Sequence, residues 1–161
     1  MHGPETPAAL KARALRYLVR REHSRAELAR KLAPFTPSPA VLEQVLDALV
    51  AKKQLSDERY AELRARQLAR KYGAARIRLD LRAKGVGGEI IERVSVADEL
   101  QRAASILQRK YRVPAASREE RARRMRFLQQ RGFSHDTISK LLSSDDAGWA
   151  LIPCATCAEG R

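Results

Sequence analysis

Start and stop signals for helices recur so closely along this chain that no long element can form. Thr6-Pro7 places a hydroxyl cap before a proline suited to the first helical position. Ser24-Arg25-Ala26-Glu27 and Ser117-Arg118-Glu119-Glu120 have the pattern of a capping box, a hydroxyl for the third amide and a carboxylate reaching back. Ser38-Pro39 and Ser56-Asp57-Glu58 are further starts, the second with acids placed to suit the helix dipole. Pro34 and Pro37 end one segment. Gly73, Gly85 and Gly132 read as terminators, because glycine enters the left-handed region without steric cost. Between these marks, apolar residues fall at helical spacing: Leu10, Ala14, Tyr17 and Leu18; Leu28 and Leu32; Leu42, Val45, Leu46 and Leu49; Ala122, Met125 and Leu128; Ile138, Leu141 and Leu142. No alternating strand pattern appears. The reading is an all-α chain of short helices.

The helices recur as a set. Glu27-Leu28-Ala29-Arg30-Lys31-Leu32 aligns with Asp80-Leu81-Arg82-Ala83-Lys84-Gly85 and with Phe127-Leu128-Gln129-Gln130-Arg131-Gly132, each with leucine second and a cation fifth. Lys84-Gly85-Val86 and Arg131-Gly132-Phe133 agree further as cation, glycine, apolar. Arg70-Lys71-Tyr72 and Arg109-Lys110-Tyr111 match in the preceding helices. The leucines are separated by 53 and 47 residues, the period of stacked helical units. Three short helices bury too little surface to stand alone, so neighbours must cover one another. We therefore expect about three tandem three-helix repeats, at 8–57, 58–97 and 98–144, forming an elongated curved array. Residues 145–161 are expected to be a disordered tail.

Charge follows the same division. The 161 residues carry a net charge of +13. Residues 1–57, 58–97 and 98–144 hold +4, +5 and +6, and residues 145–161 hold −2. A cation excess spread over a folded body suits a long polyanionic or acidic partner better than a basic tail would. GC-rich codon usage would also enrich arginine, but it gives no reason to favour Arg over Glu. The candidate contacts are Arg16, Arg20, Arg21, Arg25 and Lys31 in the first repeat. Those of the second are Arg70, Lys71, Arg76, Arg78, Arg82 and Lys84, and those of the third Arg109, Lys110, Arg123, Arg124, Arg126 and Arg131. Arg112 belongs to the third cluster as well, with Arg30 and Arg102 as weaker candidates. Arginine's planar fork matches phosphate and carboxylate alike. Arg64 and Arg66 lie near Glu62, and Arg118 and Arg121 near Glu119, so part of the charge is expected in ion pairs.

Several chemistries are disfavoured. No apolar run reaches membrane-spanning length, and no secretion signal opens the chain. Cys154 and Cys157 cannot staple the body, which fits a reducing cytoplasm, and they form only half a zinc site. Gly85-Val86-Gly87-Gly88 lacks the Lys-Ser/Thr of a phosphate-binding loop. His2, His23 and His135 pair with no nucleophile, and His23 and His135 read as residues of helix caps. We expect no cofactor, no metal and no catalysis. Tyr17, Tyr60, Tyr72, Tyr111, Phe127 and Phe133 fall at inward helix positions, so DNA contact should go through the backbone and ignore sequence.

In this setting Ala14-Leu15-Arg16-Tyr17-Leu18-Val19-Arg20-Arg21, Ser24–Leu28 with Lys31-Leu32, and Leu55-Ser56-Asp57-Glu58-Arg59-Tyr60-Ala61 gain meaning together. With Gly73, Arg76-Ile77, Asp80-Leu81 and Lys84-Gly85-Val86, their order and spacing resemble the RecX regulators of the bacterial recombinase RecA, over about residues 8–144. That resemblance implies tandem three-helix repeats and binding in the groove of the RecA nucleoprotein filament. It also implies a block on filament growth and on ATP-driven recombinase activity, with weak, sequence-independent binding of single- and double-stranded DNA. Two features depart from it: the short, glycine-opened segment at Gly87-Gly88-Glu89-Ile90, and residues 145–161. Two rival readings stand beside it. One is a helix-turn-helix transcription regulator over Ser24–Leu49, against which Glu43 and Asp47 occupy positions where base-reading cations would sit. The other is a basic helical scaffold for an acidic protein.

Overall fold

The computed structural model describes residues 6–36 and 38–143. Expectations for Pro37 and for 144–161, including Cys154 and Cys157, lie outside the described residues. Among the described residues there are nine α-helices and no strand: α1 Pro7–Arg20, α2 Arg25–Leu32, α3 Pro39–Ala51, α4 Asp57–Ala69, α5 Ala74–Ala83, α6 Gly88–Arg93, α7 Glu99–Lys110, α8 Arg118–Gln130 and α9 His135–Ser143. A 3-10 turn at Ala33–Phe35 follows α2. No described helix is long and apolar enough to cross a membrane.

The caps form where hydroxyls precede the helices. Thr6, Ser24, Ser38 and Ser117 each accept from the amide three residues on. The reciprocal half of the two capping boxes does not form as expected. Glu27 turns to Arg21 and Lys31, and Glu120 accepts from the amide of Ala116, one residue before the cap. For Glu27, an ion pair at hand competes with the backbone amide for the same carboxylate.

The chain divides into two compact units, Met1–Arg64 with Asp80–Val94, and Ala65–Leu79 with Ser95–Arg161. The division cuts α4 and α5, so the second helical triplet contributes to both. The first unit buries Leu10, Ala14, Leu28, Leu32, Val45, Leu46, Leu49 and Leu55 in one cluster, drawn from α1, α2, α3 and the turn after it. The second buries Ala103, Ala104, Ile106, Leu107, Leu128, Phe133, Ile138, Leu141 and Leu142. Each fully buried leucine contributes about 1.5–3 kcal/mol relative to exposure.

Two turns in these units are built alike. In the first unit, Lys84-Gly85-Val86 lies on the start of α2. The Ser24 hydroxyl donates to the Lys84 carbonyl at 2.6 Å, and a Cβ on Gly85, at φ +75°, would collide with the Ala26 methyl. In the second unit, Arg131-Gly132-Phe133 lies on the start of α5. The Gly73 amide donates to the Arg131 carbonyl at 2.8 Å, and the Ala75 amide to the Gly132 carbonyl at 3.2 Å. A Cβ on Gly132, at φ +77°, would stand 2.7 Å from the Arg76 nitrogen. The recurring signature is therefore a docking turn. The cationic residue offers its carbonyl, the glycine allows close approach, and the apolar residue, Val86 or Phe133, is buried.

An acidic side chain completes each junction. Asp57, which opens α4, accepts from the first amide of α2 at 2.7 Å. Glu99, which opens α7, accepts from the first amide of α5 at 3.0 Å. Both satisfy an orphan helix donor and place negative charge at the positive end of the dipole. Gly73 is not the left-handed terminator expected, since among the described glycines only Gly85 and Gly132 have positive φ. It is small because a Cβ there would overlap the Gly132 carbonyl and the Phe133 amide. Helix α4 also stops before Tyr72, at Ala69, where Arg102 takes the carbonyls of Ala69 and Tyr72.

Candidate polyanion-binding surface

Many cations of the first unit are held by carboxylates. Arg21 pairs with Glu27, whose second cation, Lys31, lies at 3.6 Å. The Arg21 hydrogen bond, against the opposing effect of burial, keeps the Glu27 carboxyl below its ordinary range. Arg25 reaches Glu43 at 2.5 Å and Asp47 at 2.7 Å. The two acids that counted against a recognition helix therefore bind α2 to α3. Arg64 is bidentate to Asp80, at 2.8 and 3.0 Å, and not a partner of Glu62 as its spacing suggests. Arg82 lies 3.9 Å from Glu92, a pair exposed on both sides. Lys84 is half-buried beside its docking turn. Arg16 and Arg20 remain exposed on α1 with no ion pair among the described residues, beside Val19, which is 86% exposed.

His23 is buried, and its place is structural rather than a surface cap. Its Nδ1 lies 2.9 Å from the Arg21 carbonyl and its Nε2 2.9 Å from the Lys31 ammonium. Only the neutral ring with the proton on Nδ1 satisfies both, donating to the carbonyl and accepting from the ammonium. Burial holds its pKa below the ordinary histidine value, and the nearby Arg21 and Lys31 charges act in the same direction.

The second unit differs. At the α8 end, the Arg131 guanidinium donates to the Lys71 carbonyl at 2.9 Å and sits 4.5 Å from the Phe127 ring centroid. The Lys110 ammonium lies 4.0 Å from the same centroid. Arg76 donates to the Gln130 carbonyl at 3.3 Å and sits 4.8 Å from the Tyr72 centroid. Phe127 and Tyr111 meet edge to face at 6.0 Å. Arg76, Lys110 and Arg131 are thus brought together beside the Lys71 backbone, and none of the three has an ion pair among the described residues. Arg70, Arg78, Arg109, Arg123 and Arg126 are exposed around the rest of the unit.

One candidate leaves the set. Arg124 is only 3% exposed, donates to the Val113 carbonyl at 2.8 Å and packs its guanidinium 4.7 Å from the Tyr111 centroid. Its helical position points inward, and its neighbours Arg123 and Arg126 point out. Arg102 is likewise a carbonyl clamp, with burial lowering its pKa. The aromatics split into two groups. Tyr60 and Phe133 are buried as expected, whereas Tyr17, Tyr72, Tyr111 and Phe127 are half-exposed with cations over their rings. The part of Phe127 as a platform was missed in the sequence, because period-3.6 reasoning assigns such a ring to the core. Glu99 and Asp57 were missed as junction caps. Their one visible signal was an acid at the first position of a helix, Asp57 in α4 and Glu99 in α7.

Comparison with known proteins follows the same triplets. The sequence matches the first three-helix domain of RecX over residues 11–49, the second over 56–94 and the third over 97–142. The chain belongs to the RecX family. The regulatory protein RecX of Herbaspirillum seropedicae is 48% identical over 138 residues, covering 84% of this chain and 90% of the relative. That of Ralstonia nicotianae is 42% identical over 147 residues, covering 89% and 92%. The crystal structure of RecX from Lactobacillus salivarius superposes with a TM-score of 0.77 at 21% identity, over 87% of this chain and 96% of that one. The RecX fold is thus shared where little sequence is. What persists is the order of short helices, which the capping and docking-turn geometry described above produces here.

Proposed function

We propose that this chain is a negative modulator of the RecA recombinase, acting in the cytoplasm as a binding protein and not as an enzyme. It binds the RecA–DNA filament and inhibits filament extension, ATP hydrolysis and strand exchange. The observation that carries this reading is the match to RecX through all three of its three-helix domains. Physical support comes from the net charge of +13, distributed over the whole helical body. A filament presents phosphate and acidic protein surface repeatedly, so a partner carrying cations in each of three repeats, 8–57, 58–97 and 98–144, can engage it at several points. DNA alone is bound weakly and without sequence preference, through phosphates. With about 6–10 phosphate contacts, affinity falls about 10³–10⁵-fold between 50 and 200 mM salt.

The test is RecA-catalysed ATP hydrolysis and strand exchange on single-stranded DNA, with this protein added below stoichiometry. Inhibition of both, with co-sedimentation on assembled filaments, is the expected result. Full RecA activity together with no filament binding would refute the proposal.

A further inference from the structure

The cations of the two units are not equivalent. In the first, Arg21, Arg25 and Lys31 are matched by Glu27, Glu43 and Asp47. In the second, Arg76, Lys110 and Arg131 gather at the α8 end with no carboxylate partner among the described residues. Two of them, Lys110 and Arg131, share the single Phe127 ring, at 4.0 and 4.5 Å from its centroid. Cations set about one ring with no ion pair among the described residues leave positive charge that a bound anion would offset. Their positions are also fixed in advance. The carbonyls of Lys71 and Gln130 orient Arg131 and Arg76, and the rings of Phe127 and Tyr72 lie under their guanidinium groups. Pre-ordered guanidinium groups lose less rotamer entropy on binding than extended side chains in water. Cations lie over these rings, so the ligand is read through its charge.

We propose that Arg76, Lys110 and Arg131, with Lys71 at the rim, form the principal site for backbone phosphates of single-stranded DNA, and that the Arg21–Arg25–Lys31 group is structural. This deepens the reading of the protein as a DNA-filament regulator by naming the phosphate-contacting residues. Opposite the site, an extended strand places successive phosphates, which suits cations set over neighbouring rings.

Fluorescence anisotropy with a labelled oligothymidylate, titrated from 20 to 200 mM NaCl, tests the proposal on the full chain. R76Q/R131Q is compared with wild type and with R16Q/R20Q, which removes two exposed cations of the first unit. The double variant at the cluster is expected to reduce the slope of log K against log salt by about 1.4. It should also weaken binding about 25-fold near 0.1 M salt, at about 0.7 per contact on a single strand. R16Q/R20Q should change the slope by less than half as much. K110Q, whose ammonium bonds no backbone carbonyl, supplies a second cluster variant should the first lose its helical melting transition, and is expected to lower the slope by about 0.7. An unchanged slope in folded cluster variants, or an equal loss in R16Q/R20Q, would overturn the assignment, as would no binding by wild type at 20 mM salt. The RecA inhibition assay is run in parallel on wild type. Absence of inhibition there would remove the regulatory reading and leave the phosphate assignment to the slopes.

Discussion

Gly73→Ala separates two explanations of one residue that differ in the sign of their effect. If Gly73 merely terminated α4, alanine at its non-positive φ would stabilise the protein by about 0.4–1 kcal/mol through the unfolded chain. The structure requires the opposite. A Cβ at Gly73 overlaps the backbone of Gly132 and Phe133, which no side-chain rotation can relieve. The α8–α9 turn must back away from α5, and two hydrogen bonds go with it: Gly73 to the Arg131 carbonyl at 2.8 Å and Ala75 to the Gly132 carbonyl at 3.2 Å. Each part-buried group left without a partner costs about 1–3 kcal/mol, so the expected loss is about 2–5 kcal/mol. For a chain of this size that lowers Tm by about 5–15 °C. Guanidinium and thermal unfolding followed by far-ultraviolet circular dichroism measure it. Gly88→Ala is the control, because nothing lies within 4 Å of its Cβ and alanine favours the helix by up to about 1 kcal/mol. A Gly73→Ala protein as stable as wild type, or more so, would refute the close-approach argument.

Three further outcomes follow from the same contacts. His23 is neutral when folded and binds a proton more readily when unfolded. Its contribution is therefore complete above its ordinary pKa of 6.5 and lost as pH falls below it. Melting at pH 7.5 and 5.0 should show this loss, and His23→Gln, which can still donate to the Arg21 carbonyl and accept from Lys31, should flatten it. Glu99 accepts from the Ala74 amide and from the Ser134 and Thr137 hydroxyls, which together outweigh the upward push of burial and hold its pKa low. Glu99→Ala should cost about 2 kcal/mol at pH 7 in denaturant unfolding, and less as pH falls from the ordinary glutamate value through the lower folded-state one. Leu28→Ala, in a site with no solvent exposure, should cost about 2–5 kcal/mol by the same measurement, and a value below 1 would mean the first-unit core is not packed as described.

Much was settled by local chemistry along the chain. Helix starts at Thr6, Ser24, Ser38 and Ser117 depend on a hydroxyl reaching an amide three residues away, so each is legible within four letters. The all-α class, the short helices, the buried leucines at period 3.6 and the charge excess have the same local origin. So does the cation-glycine-apolar signature, which was visible as a repeat before its purpose was known.

What that signature does was decided in three dimensions. Gly73 and Gly132 lie 59 positions apart in the sequence, and neither letter says that their backbones touch. Charge was no more legible. Arg25, Arg124 and Arg131 are the same residue type on helical segments of similar composition. One is held by two carboxylates, one is buried beneath a tyrosine, and one stands over a phenylalanine with no ion pair among the described residues. Net charge is a sum over residues and can be read from a list. The field at a site depends on which charges are neighbours, and long-range packing of the helices alone determines that.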